Sequence, residues 1–126
     1  MQSNLCERVI KLDKNIRFAG IVNSSGEVIE GGFQKGIQPL LNGTAEQQMY
    51  VQSLSNVVTL RQFTDRLGEF RYSVTEHDKV KLMTFPLDDG ILCLSTTPKA
   101  RTEKIRDKVT RLLKSKGKST AGRKKV

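Results

Sequence analysis

The sequence predicts an α+β domain in which a five-stranded antiparallel sheet is flanked by helices, in the order α-ββ-α-βββ-α. Three observations carry that expectation. Apolar residues recur at helical spacing in three stretches, near residues 4–14, 44–67 and 97–113. Between them lie apolar runs of strand length, separated by turns that carry Gly, Asn or Asp. The chain has 126 residues, 37% of them hydrophobic, 6% aromatic and none Trp, which suits one domain with a modest, mostly aliphatic core.

The first element is expected to be a short helix over residues 4–14. Leu5, Val9 and Leu12 repeat at i, i+4, i+7, and Asn4 followed by Glu7 resembles a capping box. The stretch "IRFAGIVNSSGEVIEGGF" then reads as a hairpin. Ile16, Phe18, Ile21 and Val22 lead into the turn Asn23-Ser24-Ser25-Gly26, and Val28-Ile29 follow it. Gly31, Gly32 and Gly36 loosen the backbone, and Pro39 marks a loop.

Thr44 is expected to cap the longest helix, because Thr44-Ala45-Glu46-Gln47 matches a box that satisfies free N–H groups. The helix is expected to run to Leu67 and to stop at Gly68 in the left-handed conformation. Its apolar set, Met49, Tyr50, Val51, Leu54, Val57, Val58, Leu60, Phe63 and Leu67, exceeds the ~100° stripe that a one-sided helix needs. Such a helix has a second buried face or is wedged deep in a core.

From Glu69 the period becomes two: Phe70, Tyr72 and Val74 alternate with Arg71, Ser73 and Thr75, as in a half-buried strand over 69–75. Glu76-His77-Asp78 reverses the chain into a strand over 79–85 that Pro86 ends. Leu87-Asp88-Asp89-Gly90 turns again, and Ile91-Leu92-Cys93-Leu94, apolar without alternation, predicts a central strand covered on both faces. Thr97-Pro98 opens the last helix, with Ile105, Val109, Leu112 and Leu113 on its apolar stripe. Periodicity stops there. The domain is accordingly placed at 1–113 and a disordered basic tail at 114–126.

No catalytic constellation emerges. Asp88 and Asp89 have no third carboxylate or His at ligand spacing, and Asp-Gly is a favoured hairpin turn. His77 is the only histidine and sits between two acids in a loop, without a signalled nucleophile or oxyanion site. Gly-Lys-Ser-Thr at 117–120 echoes the end of a phosphate loop, but Leu112 stands where the first Gly belongs. Gly26, Gly31, Gly32 and Gly36 do not match a dinucleotide fingerprint. Cys6 and Cys93 lie far apart, without a CxxC or His neighbour, so they read as buried free thiols in a reducing compartment. No metal, no cofactor and no enzymatic activity are expected. A small-molecule pocket beneath the long helix is compatible with this architecture, but no residue pattern selects a ligand.

On "NIRFAGIVNSSGEVIEGGF" at 15–33, the long helix at 44–67 and the paired strands "KVKLMTF" and "GILCLST", the chain resembles the roadblock (dynein light chain type) family, a relative of profilin-like and longin folds. The likeness spans about residues 4–113 and extends to small archaeal proteins. It implies homodimers or heterodimers that pair through the third strand and the long helix, merging two five-stranded sheets. It also implies non-enzymatic platforms or regulators for small Ras-like GTPases, or adaptors. The implied dimer residues here are Tyr50, Leu54, Val57, Val58 and Arg61 of the helix, with Phe70, Arg71, Tyr72, Ser73 and Val74 of the edge strand. The wide apolar girth of the helix and the unblocked edge strand favour the same pairing on physical grounds, and a dimer patch of about 800 Å² per partner would absorb Tyr50, Val57 or Leu60.

The net charge of +9 is uneven: residues 114–126 hold six Lys/Arg and no acid. Lys114, Lys116, Lys118, Arg123, Lys124 and Lys125 would give a tail a non-specific grip on nucleic acid or another anionic surface. No aromatic is interleaved for base stacking. The N-terminus lacks the apolar region of a signal peptide, and no run approaches the ~20 residues of a membrane span, so a cytoplasmic location is expected.

Overall fold

Residues 5–118 are described by the computed structural model. The strands are β1 (Ile16–Val22), β2 (Val28–Phe33), β3 (Ser73–Glu76), β4 (Lys81–Pro86) and β5 (Ile91–Thr96). They form one antiparallel sheet in the order β2-β1-β5-β4-β3. The helices are α1 (Leu5–Ile10), α2 (Gly43–Arg61), the one-turn α3 (Thr64–Leu67) and α4 (Thr102–Lys118). The predicted α+β architecture therefore holds, with β5 central and buried along most of its length.

The sheet separates two cores. On one face Ala19, Met83, Phe85, Leu92 and Leu94 pack against Leu5, Cys6 and Val9 of α1 and Ile105 and Val109 of α4. On the other face Phe18, Val22, Ile91 and Cys93 pack against Tyr50 and Val57 of α2. Alternate residues of β5 thus enter opposite cores, which is why it shows no polar face. Phe18 lies between Phe33, 4.8 Å away ring to ring, and Tyr50 at 5.9 Å. Its ring lies so close over Gly20 that a Cβ there would stand 2.6 Å from Phe18 Cζ.

Two of the three hairpin turns, β1–β2 and β4–β5, behave as their residues dictate. Asn23 Oδ1 accepts from the N–H groups of Ser25 (2.9 Å) and Glu27 (3.0 Å), and Gly26 takes φ +87°. Between β4 and β5 the Leu87 N–H donates to Gly90 O, and Gly90 takes φ +97°. A Cβ at Gly90 would overlap the Val22 carbonyl. The Asp88-Asp89 pair is thus the bend of a hairpin.

Several boundaries differ from expectation. The cap of the long helix is Asn42, whose Oδ1 accepts from the Ala45 N–H at 2.8 Å, not Thr44. Asn is the stronger capping residue, and its position lets the helix begin at Gly43. The helix does not continue to Leu67. At Gln62 and Phe63 the N–H groups turn to carbonyls three residues back, and Thr64 Oγ1 donates to Arg61 O at 2.8 Å. Gly68 has the expected positive φ of +87°, but its ψ of −179° is extended rather than left-handed helical.

The strand expected at 69–75 begins only at Ser73. Phe70 packs in the core beneath α2, whereas Tyr72 and Val74 pack on the α1/α4 side, so the three do not share a face. Thr97 does not cap the last helix. It donates from its N–H to Asn15 O and from Oγ1 to Asn15 Oδ1, tying the end of β5 to the start of β1. α4 starts at Thr102 and runs to Lys118, so the expected end of structure at Leu113 is five residues early. Asn4 of the first predicted cap lies outside the described residues; the Cys6 N–H at that end donates to Glu30 Oε2 at 3.1 Å.

Candidate functional site

α2 crosses the sheet over β1 and β5 and leaves the β4–β3 half of the same face open. Beside it lies a groove of about 300 Å³. One wall is Met49, Tyr50 and Ser53 of α2, its floor includes Leu82, Thr84 and Cys93, and Leu40 and Leu41 close one end. Pairing Val74 with Met83 sends both to the α1/α4 core, which leaves Leu82 and Thr84 facing the groove. β3 is the outer strand, so one of its edges has no ladder partner among the described residues.

Polar groups at the groove are few. Arg17 Nη2 donates to Gln38 O at 2.8 Å, but Arg17 Nε is buried without a hydrogen-bond partner among the described residues. Glu46 Oε2 accepts from Tyr50 Oη at 3.0 Å. Burial, and next the Glu46 carboxylate, push the Tyr50 phenol well above its ordinary range. Burial likewise pushes Cys93 up to about 12 and, with Glu30 adding to it, Cys6 up to about 12. Neither thiol is a nucleophile at neutral pH. His77 Nε2 lies 3.1 Å from Thr75 Oγ1 in an exposed loop, and among the described residues no group of three His, Cys, Asp or Glu could hold a metal ion.

The expected dimer residues fall into three sets. Tyr50 and Val57 are buried in their own chain, 3% and 2% exposed, and Tyr50 reaches the surface only as part of the groove wall. The apolar girth of the helix is real, and its centre faces the sheet of its own chain. Val58 and Arg61 are exposed and Leu54 half-buried on the far flank of α2. Val51 on that flank approaches the β1–β2 turn, where a Cβ at Gly26 would stand 3.2 Å from it. Arg71 is exposed, and Phe70, Tyr72, Ser73 and Val74 are half-buried.

Sequence reasoning missed Met49, Ser53, Val80 and Leu82 as surface-forming residues, together with Leu40 and Leu41. The alternation Val80, Leu82, Thr84 was the available signal. Of the basic residues expected in a tail, Lys114 is exposed on α4, and Lys116 and Lys118 continue that helix. Arg123, Lys124 and Lys125 lie outside the described residues. No described helix is long and apolar enough to cross a membrane.

A family model described as a family of unknown function (DUF6659) matches residues 3–122. No curated protein matches the sequence. Among solved structures, a Roadblock/LC7 domain from Streptomyces avermitilis is 18% identical, with a TM-score of 0.66, over 90% of this chain and 92% of that one. The gliding protein MglB from Thermus thermophilus is 13% identical, with a TM-score of 0.68, over 86% and 79%. An MglB with a tetrameric arrangement is 11% identical, with a TM-score of 0.62, over 89% and 87%. These likenesses show the roadblock fold. Streptomyces and Thermus are bacteria and lend the archaeal likeness no support.

Proposed function

The chain belongs to the family of unknown function (DUF6659), and we propose that it works as a homodimeric, non-enzymatic interaction module, a platform or regulator for a protein partner. One observation carries the reading. The sheet face beneath α2 is only half covered, and the open half adjoins an unpaired edge strand. A two-fold pairing through β3 would set the two open β4–β3 halves side by side between the two α2 helices, gathering Leu82, Val80 and Met49 of both copies, with Leu60 two turns beyond Ser53 on the same helix flank, into one shared apolar trough. Buried fully, each such side chain contributes about 1.5–3 kcal/mol. A patch of about 800 Å² per partner is what a stable interface needs.

The interface so drawn keeps Leu60, Arg71, Ser73 and the β3 edge from the sequence expectation and replaces Tyr50 and Val57 by Met49. The tetrameric arrangement of one MglB structure supports self-association as a habit of the fold. A small Ras-like GTPase as the partner rests on the roadblock resemblance alone. Pull-down with the tagged chain tests it: enrichment of a nucleotide-binding protein is expected, and repeated absence of one contradicts that choice. A cytoplasmic location belongs to the same reading.

A further inference from the structure

We infer that the layer formed by α1 and α4 is a docking face for the phosphate backbone of duplex nucleic acid. The charge is placed by the fold, not by a tail. Residues 5–14 and 97–118 hold twelve Lys/Arg against four acids, whereas residues 15–96 hold seven against nine. The two helices are joined at their seam, where Lys108 Nζ donates to Leu12 O at 3.2 Å and Val9 packs with Ile105 and Val109. That joint gathers Arg8, Lys11 and Lys14 from the α1 side with Lys104, Lys108 and Arg111 from α4. All but the half-buried Lys108 are exposed. Among the described residues none of the six has a carboxylate within ion-pair distance; the pairs present are Lys81–Glu76 and Arg106–Asp107.

The chemistry of the face favours a duplex over other anions. Among the described residues the large apolar side chains exposed to solvent are Val28, Ile29, Leu40, Leu41, Val51, Val58, Phe63 and Leu67, all outside α1 and α4. A bilayer would therefore find no side chain to insert. Neither helix carries an aromatic residue, so unstacked bases would find no platform. What remains is a row of cations from Lys104 to Arg111, about 10 Å along α4, beside Arg8, Lys11 and Lys14. Such a row matches a backbone that carries a charge every ~1.7 Å and gains by releasing counterions. The face does not depend on the dimer. In a pair joined through β3, both layers would lie on the same side of the merged sheet and the cationic area would double.

The test is fluorescence anisotropy of the full chain on a labelled duplex of mixed sequence, from 50 to 200 mM salt. With about six phosphate contacts, affinity falls roughly 10³-fold over that range. Replacing Lys11, Lys104 and Arg111 by Gln lowers the log–log salt slope by about 3, with sedimentation and thermal melting unchanged. The control replaces Lys35, Arg66 and Lys79 by Gln, the same loss of charge from elsewhere on the molecule. The control leaves the slope near its original value. Equal loss in both variants would mean that net charge alone is responsible, and the inference fails. It fails also if removal of residues 119–126 abolishes binding while the triple variant retains it. Binding to vesicles rich in anionic phospholipid without binding to the duplex would assign the face to a membrane instead and overturn the proposal.

Discussion

Gly90 shows how one residue fixes the path of the chain. Its φ of +97° and its closeness to the Val22 carbonyl leave no room for a Cβ. Gly90→Ala is expected to destabilise the fold by about 1–3 kcal/mol or more, whereas Gly36→Ala, with φ +82° but open space around it, meets the backbone strain alone. Urea titration of both variants separates clash from strain. The two thiols make a pH prediction. Each is held neutral in the fold to about 12, against an ordinary value of 9.0. Between those values the unfolded chain releases protons that the folded chain keeps, so stability falls as pH rises from 9.0 toward about 12 and is untouched below. The slope is at most about 1.4 kcal/mol per pH unit per thiol. Unfolding curves of wild type and Cys6→Ala/Cys93→Ala at about pH 7 and about pH 10.5 should differ in that direction, and native thiols should resist alkylation near neutral pH.

At the scale of elements, the sheet was the most legible part, because each strand carries its own punctuation. Asn23 to Gly26 and Leu87 to Gly90 mark turns by residues whose side chains or backbone make those turns. Helix ends were less legible, because capping is a competition among neighbours. Asn42 and Thr44 both suit a cap, and Asn, the stronger of the two, takes it. Asn42→Ala is expected to cost about 1 kcal/mol and Thr44→Ala far less, measurable as a shift in thermal midpoint. The break at Phe63 was hidden for a similar reason. Phe63 and Leu67 keep the helical apolar spacing although they stand 48% and 71% exposed. The alternation of Phe70, Tyr72 and Val74 misled because Phe70 precedes the strand and turns to the other core. α4 outlasted its apolar stripe because Lys114 and Ser115 tolerate a helix without packing it.

For the whole molecule, the excess of apolar surface on the long helix was readable, but its direction was not. Helical periodicity says how many apolar residues circle an axis, and only the strand order says which flank lies above an uncovered half-sheet. With β3 outermost, that flank is the one bearing Met49 and Ser53. Leu60→Asp and Leu82→Lys should therefore dissociate the pair while leaving the monomer folded, since neither side chain is in the fully buried core. Val58→Asp on the far flank should leave the pair intact and weaken a separate partner instead. The most direct measurement is sedimentation velocity of the purified chain at tens of micromolar. A species of twice the 14.1 kDa chain mass, reduced to one chain mass by Leu82→Lys, is the predicted result. A wild-type protein that sediments as a single chain at that concentration would contradict the account.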